Sequence, residues 1–279
     1  MRWDGVALRL NALLTTLPFA LAASAADARF LPPEGKPLRQ VLTEERIEAG
    51  ASQRYVSERE IIFMRTPDGY RADVMIVSES HAADDAGAMF GAGLAALKGQ
   101  TIRFELDRNG TIVAIADEEA LWGRFCDAIE GMARGKRPLD AQRARNVAAL
   151  VAPLRTMPPA RRRALLGSMI TAIIAGPRAD RQPGTQPITL PARDATGPTI
   201  DLPGTEAVTL GNGALTIEST AEGDLNPSAH LIVKRRERVD AARGLILETR
   251  TQRDTIIGTG ATSRRSQSTV TSVIAFKVF

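Results

Sequence analysis

The sequence predicts an α+β fold: a curved antiparallel sheet, half-barrel-like, built from N- and C-terminal hairpins with a three-helix block inserted between them. Three observations predict it. Apolar residues recur with period two, punctuated by tight glycine-containing turns, before residue 117 and again after residue 206. Between about 118 and 176 the period changes to that of helices. Strands and helices are segregated rather than alternating as βαβ units, which disfavours a parallel, doubly wound sheet.

The N-terminal 25 residues have the order of a secretory signal. Arg2 and Arg9 form a basic start, residues 12–23 an apolar stretch too short to span a bilayer, and Ala23-Ser24-Ala25 a small-residue cleavage site. The expected mature chain therefore begins near Ala26, after cleavage at Ala25/Ala26, and the expected location is the periplasm. The lone cysteine, Cys126, lies far beyond the apolar stretch, so it can carry neither a lipid anchor at the cleavage site nor an internal disulfide. No later segment reaches 18 uninterrupted apolar residues, so no integral membrane span is expected in the mature chain.

Residues 26–279 read as one α+β domain. A Pro-rich leader (Pro32, Pro33, Pro37) precedes a first strand over Arg39–Glu48. Residues 53–66 and 70–80 form a hairpin about the turn Thr66-Pro67-Asp68-Gly69. A short Ala/Gly-rich helix is expected over 82–98. In the second hairpin Ile102, Phe104 and Leu106 alternate with Arg103 and Glu105, the turn holds Asn109-Gly110, and Ile112–Ala116 return. Asp117 is then expected as the cap of a helix over 118–133, with Leu121, Trp122, Phe125, Ile129 and Met132 on one face. A second helix covers 139–152. A third starts at Pro158-Pro159 and runs to about Ala175, where Gly176-Pro177 stops it. Its stripe of Leu165, Leu166, Met169, Ile170, Ile173 and Ile174 makes it the expected most amphipathic segment.

Six prolines in 177–206 predict a long irregular crossover with one strand at Ile188–Leu190. Strands resume at Val208–Leu210 and Leu215–Glu218. Leu231–Val239 and Leu245–Ile256 form a hairpin in which Val239 opposite Leu245 would set Arg236 against Glu248. Val270–Phe279 is the last strand, with Val270, Ile274, Phe276 and Val278 on one face.

The chemistry is mostly negative. Thirty-six basic residues face 32 acidic ones, and aromatics are only 4% of the chain, so the stacking and charge concentration of a nucleic-acid binder are missing. Removing residues 1–25 takes away Arg2, Arg9 and Asp4 and lowers the net charge by one. Gly131–Arg137 fails as a phosphate loop: its glycines are one residue too close, and Arg137 stands where Ser or Thr must bind magnesium. Gly91–Ala96 lacks the βαβ setting of a dinucleotide site. Asn109-Gly110-Thr111 is a sequon, read here as a turn. His81 and His230 read as surface histidines, Cys126 as a small buried hydrophobe. Asp107, Asp117 and Glu119 are acids of a hydrolase alternative, but turn and cap roles account for them. Phe279 at the chain end suits a membrane barrel, against which stand Lys277 and the helical block. No catalytic residue, metal site or cofactor is assigned.

Two stretches resemble uncharacterised periplasmic proteins of Gram-negative bacteria that carry a domain of unknown function. One runs from Leu97-Lys98-Gly99 through Phe104, Leu106, Asp107, Gly110 and Ile112 to Asp117; the other from Val239-Asp240 through Gly244-Leu245 to Glu248. The resemblance covers about residues 38–279. It implies a half-barrel sheet similar to that of envelope lipoprotein carriers, and it assigns no catalytic residue. The expected function is that of an exported, soluble, non-catalytic periplasmic protein that binds a lipid, another apolar ligand or an envelope protein. A groove for such a ligand would be lined by Trp122, Phe125, Leu165, Met169 and Ile173, unless these residues close the core. The alternative is a structural or interaction protein of the envelope with no small-molecule ligand.

Overall fold

The computed structural model describes residues 30–48, 51–81, 95–134, 141–193, 199–258 and 264–276. The export signal, most of the helix expected over 82–98, and Val278 lie outside them. The strands are β1 (Leu38–Glu48), β2 (Ala51–Thr66), β3 (Gly69–His81), β4 (Thr101–Asp107), β5 (Ile112–Ile115), β6 (Gly184–Arg193), β7 (Thr199–Gly211), β8 (Ala214–Asn226), β9 (Ala229–Asp240), β10 (Leu245–Ile257) and β11 (Arg264–Phe276). Helices α1 (Glu118–Arg134), α2 (Ala141–Arg155) and α3 (Pro159–Thr171) fall between β5 and β6 in sequence, followed by a 3-10 helix at Gly176–Asp180.

All eleven strands belong to one open antiparallel sheet in the order β5-β4-β3-β2-β1-β11-β10-β9-β8-β7-β6. Two meanders, β1–β5 and β6–β11, thus become a single sheet where β1 pairs with β11. That seam runs from Leu38 opposite Phe276 to Glu48 opposite Ser266 without a register shift.

Alternation puts one side chain in two on each face. On β4 the alternation is complete: Ile102, Phe104 and Leu106 are buried and their neighbours are not. The same inner face carries Leu38, Ile61, Phe63, Ala72, Val74 and Ile76, which form one continuous core with residues of all three helices. Leu245 and Ile274 join that core from the C-terminal meander, and Phe30 meets Phe63 and Tyr70 edge-on. A second cluster forms where Ala175 and Ala179 pack on Val208, Leu215, Ile217, Val239 and Ile246.

Five expectations are corrected. The irregular crossover at 177–206 instead holds all of β6 and the start of β7. Its prolines fit because of where they stand: Pro187 and Pro191 are on the edge strand, where a missing N–H need cost no ladder bond. Pro203 pairs with Thr189 of β6 but lies before the β7·β8 ladder, which begins at Gly204. Helix α3 ends at Thr171, not Ala175, because the next residues bond to the start of β10: Ile246 N–H donates to the Ile173 carbonyl and Ala175 N–H to the Gly244 carbonyl. Apolar and polar faces are segregated most sharply in α1, since α3 turns Arg162 inward among its buried residues. In the β9–β10 hairpin a register shift between Ile246 and Glu248 places Glu248 opposite Arg238 and Arg236 opposite Arg250. Arg236 instead meets Glu218 on β8, at 3.5 Å. The last strand also begins earlier than expected, at Arg264.

Gly204 shows how closely the strands approach. A Cβ there would lie 2.3 Å from the Thr220 carbonyl oxygen and 2.7 Å from the Ala221 Cβ. Gly204→Ala is therefore expected to destabilise the fold by about 1–3 kcal/mol through overpacking. Urea unfolding followed by circular dichroism measures it.

Candidate functional site

The five groove candidates come together, within or against the core. Trp122, Phe125, Met169 and Ile173 are buried, and Leu165 packs against the same cluster half-buried. The Trp122 and Phe125 rings stack with centroids 5.1 Å apart, and the indole N–H donates to the Leu154 carbonyl at 3.0 Å. Ion pairs tie the helices together: Arg162 grips both oxygens of Glu119, Arg163 meets Glu118, and Arg155 bridges Asp127 and Glu130. Cys126 is buried among these residues, and that burial raises its thiol pKa.

Two of the three acids considered for hydrolysis, Asp107 and Glu119, have side-chain partners. Asp107 accepts the Asn109 and Thr111 amides in the hairpin turn, and Glu119 is held by Arg162. Asp117 precedes α1 at a positive φ of 53° and accepts the Leu121 amide through its carbonyl. His230 lies 2.8 Å from Asp224 on an exposed hairpin. The His81 side chain is outside the described residues. Among the described residues no cluster of three or more His, Cys, Asp or Glu could hold a metal ion.

A site that the sequence did not reveal lies on the inner face just beyond the apolar core. On β2 the row Phe63, Ile61, Arg59, Ser57, Tyr55 passes from apolar to polar while keeping one orientation. Gln40 on β1 stands opposite Arg59, and its amide donates to the Ser272 hydroxyl at 2.9 Å across the seam. Thr249 of β10 stands opposite Ser272. Gln40 and Ser57 are fully buried and Arg59 is 5% exposed. Four polar atoms of this row are enclosed without a hydrogen-bond partner: Gln40 Oε1, Ser57 Oγ, Arg59 Nε and Thr249 Oγ1. Burial lowers the Arg59 guanidinium to about 10. The signal was the parity of Arg59, which shares a face with Tyr55, Ile61 and Phe63.

Further along the same face, in the C-terminal half, two buried glutamates collect arginines. Glu237 takes both Arg178, at 3.0 Å, and Arg235; Glu206 takes Arg181 and Gln186. Burial also lowers the pKa of Arg178 and of Arg253, the latter helped by the charge of Arg235.

No family model matches the chain, and no curated protein matches it. Among solved structures, an outer-membrane channel from Pseudomonas putida F1 aligns with 91% of this chain and 100% of its own, at 8% identity and a TM-score of 0.16. That likeness is too slight to carry an argument. No helix among the described residues is long and apolar enough to cross a membrane.

Two expected outcomes follow from these burials. Burial, and then the charge of Glu79, raises the Tyr55 phenol above its ordinary value of 10.0. Below that value the phenol is neutral in folded and unfolded chains alike; above it only the unfolded chain ionises, so stability falls as pH rises. Tyr55→Phe removes this alkaline loss. Denaturation midpoints compared from about pH 8 to about pH 11 read it out. The Cys126 thiol stays unreactive to a thiol reagent in the native protein and reacts at once when the fold is opened by guanidinium.

Proposed function

We propose that this chain is an exported protein of a Gram-negative envelope, released into the periplasm by cleavage near Ala25/Ala26, and that it binds rather than catalyses. Its ligand would be a lipid or another amphiphile held on the inner face of a curved, half-barrel-like sheet. The observation that carries this reading is the polar row at Arg59. A buried, partner-poor patch bordering an apolar core is costly as pure structure and suits a molecule with one polar and one apolar end.

Two features support the curvature. Strands β6 and β8 are not neighbours, and in a flat sheet they would lie about 9.6 Å apart; their Cα atoms approach within 8 Å. Leu202, Ala221, Leu231 and Val233 are buried in a cluster whose other members, Leu190, Ala192, Ile200 and Leu225, also come from β6–β9. Strands that bury one another's side chains in this way are curling.

A binding role without nucleic acid, cofactor or metal is in keeping with the absence of a catalytic motif. Edge strand β6, broken by Pro187 and Pro191, is a poor template for strand addition, which weighs against a partner docking there.

Native mass spectrometry of protein recovered from the periplasm tests the proposal. The expected result is a mature chain starting near Ala26 that carries a bound amphiphile removable by organic extraction. A chain retained in the cytoplasm, or one that crosslinks to an envelope protein and carries no ligand, would contradict it; the second outcome favours the interaction-protein alternative.

A further inference from the structure

We propose that the inner face of β1 and β2 is an anion-binding site centred on Arg59, taking the carboxylate or phosphate group of a ligand. This rests on the binding role proposed above and names the chemistry of the ligand's polar end.

Three other inward-facing arginines have acidic partners. Arg162 has Glu119, and Arg178 and Arg235 share Glu237. Arg59 is enclosed more deeply than the last two, yet among the described residues it makes no ion pair. Its hydrogen bond runs from Nη1 to the Met169 carbonyl at 3.3 Å, long for N–H···O. Its Nε donor is enclosed and unmet. A guanidinium has five donors and stays charged at neutral pH even with the lowered pKa. Enclosed water could meet the donors but would leave the charge uncompensated, and an uncompensated buried charge costs several kcal/mol.

The surroundings fit an anion. Ser57, two residues along the same face, has a hydroxyl without a partner. Gln40, directly opposite, bonds Ser272 through one end of its amide and leaves the other end free. Because the Ser272 hydroxyl can accept or donate, turning the Gln40 amide by half a rotation converts that free end from acceptor to donor. Glu79 stands opposite Ser57, and the Tyr55 phenol, which acts on the Arg59 charge, is kept neutral at ordinary pH by its raised pKa. A register shift between Glu58 and Arg59 in the β2·β3 ladder falls at this point, and such bulges re-aim side chains beside functional sites. The planar fork of arginine matches carboxylate or phosphate oxygens two at a time.

The test titrates the mature protein with inorganic phosphate, dihexanoyl phosphatidic acid and dihexanoylglycerol by calorimetry, and repeats it with Arg59→Met and Ser57→Ala. Binding of phosphatidic acid is expected, weakened about tenfold to a hundredfold by Arg59→Met and about threefold to tenfold by Ser57→Ala. Arg59-dependent binding of phosphate alone would assign the site to a free anion. In phosphate-free buffer Arg59→Met should melt no lower than the wild type, because the charge it removes has no ion-pair partner among the described residues. A clearly lower melting temperature would mark Arg59 as structural and overturn the inference. Anion binding untouched by both substitutions would overturn it too. If dihexanoylglycerol binds as well as phosphatidic acid, the anion site falls while the binding role stands. If none of the three binds, the anion site falls, and the binding role falls with it only when native mass spectrometry also finds no ligand.

Discussion

Everything in this structure depends on the pairing of β1 with β11. These strands stand near opposite ends of the described chain, yet they form eleven consecutive residue pairs without a shift. Without the seam each meander would expose a long strand edge, and the core would lose Ile274 and Leu245, its contributions from the C-terminal half. With it, β1 becomes an interior strand, and Leu38, paired with Ile61 in one ladder and with Phe276 in the other, is fully buried. Joining such distant segments carries a large loop-closure cost before any contact rewards it, so the seam also makes slow folding the expectation.

The polar row is a product of the same seam. Gln40 comes from β1, Arg59 and Ser57 from β2, Ser272 from β11 and Thr249 from β10. The Gln40–Ser272 hydrogen bond spans 232 positions of sequence. Helix α3 closes the row at one side through the Met169 carbonyl. The apolar core and the polar row are therefore successive zones of one face, and the proposed ligand site is the zone in which Gln40, Ser57, Arg59 and Thr249 leave polar atoms unmet.

Local chemistry explains what the sequence made legible. The hairpins at Pro67-Asp68-Gly69 and Asn109-Gly110 and the alternation of Ile102, Phe104 and Leu106 depend on neighbours in the chain, and they appear where expected. The helix over 118–133 was legible for the same reason. The prolines of 177–206 misled because proline is a breaker only where its N–H is needed, and β6 lies at a sheet edge that no local signal announces. The end of α3 was set by the Gly244 carbonyl and the Ile246 amide, distant in sequence. Helical spacing put Trp122 with Phe125, and Leu165 with Met169 and Ile173, but whether such a stripe meets a ligand or a core depends on what lies opposite. Arg59 was hidden for a related reason: a charged residue in a strand reads as solvent-facing until the register with Gln40 and the parity with Ile61 and Phe63 are known.

Native-state hydrogen exchange tests the seam most directly. Protected amides of β1 and β11 should open together, at the same free energy and with the same denaturant dependence as those of β2 and β10. If β11 and the C-terminal meander exchange independently while β1–β5 and the helices stay protected, the chain is two units that touch, and the single-sheet account fails.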